Sequence, residues 1–176
     1  RQMLRSRRVP FHRQGSDNLL RLNTDLGQHF LVDEMVLDEI VTSGDIQEDD
    51  HIVEIGPGIG VLTRELLYNA GKVTAVEIDE RMISLLKQFT GYSSILTIIN
   101  NDALKVDFPE EPYKIIANIP YHITSPLLRH AMMESKVRPT SMTLLIQKEV
   151  ADRICDKKSE CLLSIIVKLF GEPSKV

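Results

Sequence analysis

The sequence predicts an α/β domain built on a mostly parallel sheet, and three observations carry that expectation. Short apolar runs alternate with helical patterns along the chain, the order expected when each strand is followed by a crossover helix. A glycine-rich turn, Gly56-Pro57-Gly58-Ile59-Gly60, joins the first strand candidate to a helix. Gly56, Glu77, Asp102 and Asn118 each stand at or just past the end of one of four successive strand candidates, and ligands of open α/β sheets bind outside the carboxyl ends of the strands. Each residue taken alone reads as a capping turn, a solvated strand end or an Asx-turn. Four of them in register after four strands point to one site.

The elements follow in order. A helix is expected over 33–43, capped by Asp33 and ended near Gly44. Ile52-Val53-Glu54-Ile55 lies in a strand at 51–55 that runs into the glycine turn. Leu62, Leu66 and Leu67 share one face of a helix at 61–70, and Gly71 is its stop. The dinucleotide fingerprint would need glycine where Val61 stands, which argues against NAD. A second strand, 72–77, ends in Glu77, 21 residues after Gly56, where such folds place a carboxylate for ribose hydroxyls. A helix at 80–89 precedes an unbroken β-branched strand at 94–99 and then Asn101-Asp102-Ala103-Leu104. A strand at 113–118 leads to a helix at about 125–134, with Pro126 in its first turn. A strand at 141–146, a helix at 148–155 and a last strand formed by the apolar run Leu162–Phe170 complete the map.

Asn118-Ile119-Pro120-Tyr121 is the most informative stretch. At a strand's end, the Asn118 side-chain oxygen and the Ile119 carbonyl can both accept hydrogen bonds from an exocyclic amino group of a nucleobase. Pro120 fixes φ and stiffens the turn, and the Tyr121 ring can stack on the face of the base. Taken alone, the four residues are also consistent with an ordinary strand-ending turn.

The chain resembles the ribosomal RNA adenine dimethyltransferases, the KsgA-type enzymes that use S-adenosylmethionine to dimethylate adenines of small-subunit rRNA. Leu26-Gly27-Gln28-His29-Phe30-Leu31 is similar to their opening motif, and Glu54 to Thr63 to their glycine loop. Glu77-Ile78-Asp79, Asp102-Ala103-Leu104, Asn118-Ile119-Pro120-Tyr121 and Gln147-Lys148-Glu149 complete the series in the family's order. The resemblance implies a Rossmann-like class I methyltransferase fold with helices on both faces of the sheet. It implies that Gln28, His29 and Leu31 belong to a loop over the cofactor, that Gly56 lines its methionine moiety, and that Glu54, Gly58 and Gly60 also bind it. It further gives the ribose hydroxyls to Glu77 and the adenine amino group to Asp102, and places Ile78 and Ala103 at the cofactor as well. Asn118, Ile119, Pro120 and Tyr121 are given to catalysis, with Asn118 touching both cofactor and target base. Asn101 departs from the family's usual glycine, a substitution that asparagine's tolerance of positive φ makes acceptable. The family also continues past the position of Val176 with a further strand, a Phe-Pro-rich loop and a small helical domain. Leu162–Phe170 is therefore expected to lack its antiparallel partner, leaving either an unfilled slot or a direct pairing of Leu162–Phe170 with Ser141–Ile146, and in either case an apolar edge that a second chain could complete.

Composition fits a soluble domain. With 176 residues and 43% hydrophobic content, one sizeable core is expected. Residues 1–25 form a basic extension and 26–176 a catalytic domain. Within 1–31, six arginines (Arg1, Arg5, Arg7, Arg8, Arg13, Arg21) oppose two aspartates for a net +4, which leaves −8 for 32–176. Such an arm reads either as a phosphate-binding tail or as a solvated extension. Cys155 and Cys161 suit two reduced thiols, and no histidine–cysteine spacing suggests zinc. No signal-peptide core and no apolar run of membrane-spanning length are present, so a cytoplasmic protein without membrane or metal is expected. The resemblance implies ribosomal RNA or a small-subunit precursor as partner, and a monomer is expected unless a second chain completes the sheet edge. Two other readings compete: a large-subunit rRNA methyltransferase of the erythromycin-resistance type, and a ribosome-assembly factor that keeps the cofactor fold without turnover.

Overall fold

A computed structural model of the chain describes residues 34–158 and 161–176. The expected cap at Asp33, the basic arm, and Gln28, His29 and Leu31 lie outside the described residues. Five strands, β1 (His51–Ile55), β2 (Lys72–Glu77), β3 (Leu96–Asn100), β4 (Lys114–Asn118) and β5 (Ser141–Leu145), form one sheet in the order β3-β2-β1-β4-β5. All four pairings are parallel. Chain order reverses between β1 and β4, so the crevice at their carboxyl ends is the topological switch point at which such sheets bind ligands.

The strands alternate their side chains between two covered faces. Ile52, Val73 and Ile116 pack against α1 (Glu34–Ser43) and α2 (Val61–Asn69) through Ile40, Leu62, Leu66 and Ala70. Val53, Ile55, Val76, Ile115 and Ala117 face the other way, toward Val106, Phe108, and Leu127 of α4 (Thr124–Arg129). Because β1 is sandwiched on both sides, every one of its five residues is buried, which is why it reads as a continuous run rather than an alternating one. Between β2 and β3, α3 (Glu80–Thr90) is capped by Asp79, whose carboxylate accepts from the Arg81 N–H. The helix expected over 125–134 is composite: a 3₁₀ turn at Tyr121–Ile123, then α4, then a π turn at His130–Glu134.

One element is corrected. Leu162–Phe170 is a helix, α6, not the last strand. Ile166 and Val167 are buried while Leu162, Ile165 and Leu169 are exposed, a helical rather than a two-residue rhythm. The Cys161 sulfur accepts the Ser164 N–H at its start, and Lys168 sits in its last turn. Val167 packs with Leu128 of α4 and Ile154 of α5 (Lys148–Cys155), over Met142 and Leu144 of β5. The expected juxtaposition of Leu162–Phe170 with Ser141–Ile146 as neighbouring strands is thereby overturned.

Candidate active site

The strand registers bring the expected site residues into one row. Ile55 pairs with Val76, and Glu77 pairs with Asn100. Val53 pairs with Ile115, and Asn118 with Leu145. Carrying these registers to the strand ends aligns Asn100, Glu77, Gly56, Asn118 and Leu145 across the sheet, with the switch point between Gly56 and Asn118. Parallel pairing makes this possible, since it puts every carboxyl end on the same rim.

The glycine turn is shaped by positive φ at Gly56, Gly58 and Gly60. At Gly60, φ is 98°, and a Cβ would fall 2.5 Å from Leu86 Cδ1 and 2.9 Å from Thr90 Cγ2. Here glycine lets α2 start tight against α3. Gly56, with φ of 65°, is different: a Cβ there would meet nothing within 4 Å. Its backbone, tied by its N–H to the Val76 carbonyl at 2.9 Å, borders open space.

Two acidic side chains stand beside this turn. Glu77 is 3% exposed, and its two carboxylate oxygens accept the N–H groups of Gly58 (3.2 Å) and Asp79 (2.9 Å). Burial raises its pKa, and those two N–H groups offset the rise. Each oxygen keeps acceptor capacity for a hydroxyl. Glu54 is 1% exposed, with Oε2 lacking any hydrogen-bond partner. Burial pushes its carboxyl up to about 8; the nearby Thr63 hydroxyl opposes this and the Glu77 charge adds to it. Thr63 stands close without hydrogen-bond geometry, since its own Oγ1 is also unpartnered. A buried carboxyl beside an open glycine cradle, protonated in the ligand-free chain, would ionise opposite a cation such as the ammonium of a methionine moiety.

The next two groups lie farther along the rim. Asp102 forms an Asx-turn, accepting the Leu104 N–H at 2.9 Å, and its outer oxygen is 3.8 Å from Lys105. Ala103 is buried in the core, so only its backbone can face a ligand. Ile78 is exposed at the end of β2 and can cover one face of a flat ring. Asn101 does not take positive φ; Asp45 alone does so among the described non-glycine residues. Its side chain instead accepts the Asp102 N–H at 2.8 Å, which is how asparagine replaces glycine there.

Across the switch point, Ile119 is buried and its N–H donates to the Leu145 carbonyl at 3.0 Å, fixing the turn to β5. Pro120 holds φ at −56°, and its carbonyl accepts the Ile123 N–H at 3.1 Å. Tyr121 is 57% exposed with its ring edge-on to His122, a face open for stacking. Sequence reasoning missed Asn100 and Thr63. The signal for Asn100 was its place directly opposite Glu77, visible only once the β2–β3 register is known. Among the described residues no group of His, Cys, Asp and Glu side chains could hold a metal, and no helix is long and apolar enough to cross a membrane.

Residues 19–176 match the family described as ribosomal RNA adenine dimethylase. "Ribosomal RNA small subunit methyltransferase A" of Dehalococcoides mccartyi is 44% identical over 165 residues, which cover 89% of this chain and 56% of that protein. Its Clostridium acetobutylicum namesake is 46% identical over 144 residues, covering 79% and 52%. The chain thus spans about half the length of the curated relatives it matches. Among solved structures, a dimethyladenosine transferase from Plasmodium falciparum superposes with a TM-score of 0.68 at 36% identity, covering 80% of this chain and 52% of that one. The 23S rRNA methyltransferase ErmE superposes with a TM-score of 0.65 at 32% identity, covering 74% and 52%. The chain belongs to the ribosomal RNA adenine dimethylase family.

Proposed function

We propose that this member of the family is the cofactor-binding and catalytic part, residues 26–176, of a cytoplasmic S-adenosylmethionine-dependent enzyme that dimethylates adenine N6 in small-subunit ribosomal RNA. The observation that carries the reading is the single row of Glu77, Gly56 and Asn118 at the switch point. It puts a carboxylate, an open backbone turn and the Asn118-Ile119-Pro120-Tyr121 turn side by side, which supports diol binding, cofactor approach and base binding at one crevice.

In this reading Glu77 accepts the ribose hydroxyls and Asp102 the adenine amino group. Ile78 covers the adenine ring, and the unpartnered Glu54 oxygen faces the ammonium. Gly58 and Gly60 let the loop approach, while Gln28, His29 and Leu31 close over it. Bound S-adenosylmethionine supplies an electrophilic methyl on a sulfonium. The target adenine is unstacked from its RNA to reach the turn, where Tyr121 stacks on it. Its amino nitrogen is a poor nucleophile because the lone pair is delocalised into the ring. The Asn118 oxygen and the Ile119 carbonyl accept its two N–H groups and so favour a localised lone pair and the positive charge that develops. The rest is positioning for an in-line displacement, in which the N–C bond would form as the S–C bond breaks, S-adenosylhomocysteine would leave as a neutral thioether and the nitrogen would release a proton to water. No covalent intermediate is needed.

The similarity to ErmE at a TM-score of 0.65 supports a second reading, methylation of large-subunit RNA. The test is transfer of labelled methyl from S-adenosylmethionine to unmethylated small ribosomal subunits and to large ones, with the product mapped. Dimethyladenosine in the small subunit is expected. Label confined to the large subunit moves the assignment to the second reading, and absence of transfer to either by a full-length protein refutes both.

A further inference from the structure

Asn100 is the last residue of β3 and lies opposite Glu77 in the register. Its side-chain amide donates to the Glu77 carbonyl at 2.8 Å and to the Ile78 carbonyl at 3.3 Å. Both partners are acceptors only, so the NH₂ end of the amide must face them. The Asn101 N–H adds a third bond, to the Glu77 carbonyl at 3.2 Å. The backbone carrying Glu77 and Ile78 is thus held from behind by β3. The Glu77 carboxylate is held from the front by the Gly58 and Asp79 N–H groups. Asn100 itself is exposed, so its amide adds orientation without filling the core.

We propose that Asn100 is a positioning residue for ribose recognition. By fixing the two carbonyls at the end of β2, it sets the direction in which the Glu77 carboxylate meets a vicinal diol. A binding group must be held to within about half an ångström for its hydrogen bonds to form fully. The proposal rests on the cofactor reading given above, and its test separates the two.

Calorimetric titration of the 176-residue chain with S-adenosylhomocysteine, and with its analogue lacking the ribose 2′-hydroxyl, reads the effect. Wild type is expected to prefer the ribose form. Asn100→Ala and Asn100→Asp, which remove the donor, should each weaken the ribose form about tenfold, the order expected for one lost hydrogen bond, and the deoxy analogue much less. Asn100→Gln, which keeps a donor, should recover part of the preference. In a Glu77→Ala background, Asn100→Ala should cost nothing further, because its effect runs through that carboxylate. Equal losses for both ligands accompanied by a lowered thermal midpoint, or additivity with Glu77→Ala, overturn the proposal in favour of a purely structural role. A wild type that discriminates while the Asn100 variants bind unchanged overturns this inference alone. A wild type that binds neither ligand overturns the cofactor reading with it.

Discussion

Replacing Glu54 by glutamine should make the protein increasingly more stable than wild type as pH rises. Glu54 is fully enclosed, and its carboxyl titrates near 8 instead of its ordinary 4.5. Between those values the folded chain keeps the proton and the unfolded chain releases it. The stability tied to Glu54 is therefore complete below pH 4.5 and drains away as pH climbs toward 8. Each unit of that interval costs about 1.4 kcal/mol, so the loss is about 3 kcal/mol at pH 7 and about 5 kcal/mol above pH 8. Glutamine has nearly the same shape and no proton to lose. Urea unfolding of both proteins at pH 5, 6.5 and 8 should show the variant gaining on the wild type by about 3–4 kcal/mol across the series. Any slope left in the variant reports other groups, Glu77 first, whose carboxyl is also raised by burial. Parallel stability curves, or a variant that falls behind as pH rises, would show that Glu54 is ionised in the folded chain and refute the reasoning.

The other expectations concern the same rim. Glu77→Ala and Asp102→Ala should each weaken S-adenosylhomocysteine binding roughly ten- to a hundredfold, the size of a lost buried hydrogen bond; calorimetry giving unchanged affinity would remove them from the site. In the full-length protein, Asn118→Ala should lower the methyl-transfer rate far more than cofactor affinity, and Tyr121→Ala should cost about 1–3 kcal/mol through lost stacking; a near-normal rate in single-turnover assays with Asn118→Ala would show the mechanism to be wrong. Gly60→Ala should destabilise the fold by about 1–3 kcal/mol, because alanine is strained at that backbone angle and collides with Leu86; an unchanged urea midpoint would contradict this.

Strands β1 to β4 were legible because each is a short apolar run closed by a glycine, an acid or an asparagine, and β5 because it is a short apolar run ahead of the polar start of α5. A sheet covered on both faces makes such runs. Glu77 and Asn118 were legible for the same reason, since they stand where the apolar runs stop. Leu162–Phe170 was misread because only Ser164 and Lys168 interrupt its apolar run. Leu162, Ile165 and Leu169 hide the helical rhythm of Ile166 and Val167, and nine residues suit either element. Asn100 escaped notice because its role depends on which residue of β2 it faces, a relation that no local pattern encodes. Glu54 was seen as part of a motif, but its lack of a partner is a fact of packing around α2.

The strand order also divides the site by how far apart its parts lie along the chain. β1 meets β2 at a separation of 21 residues and β4 at a separation of 62, from His51 with Lys72 and Ile52 with Lys114. Closing the longer loop costs about 1 kcal/mol more conformational entropy than closing the shorter one. The β1–β2–β3 half, with Glu54, the glycine turn, Glu77 and Asp102, can therefore assemble from near neighbours. The β4 turn must be brought in from a distance. On loop-closure entropy alone, the β1–β2–β3 half is favoured to pair before β4, and a ligand spanning the β1–β4 crevice would stabilise the pairing with the longer loop.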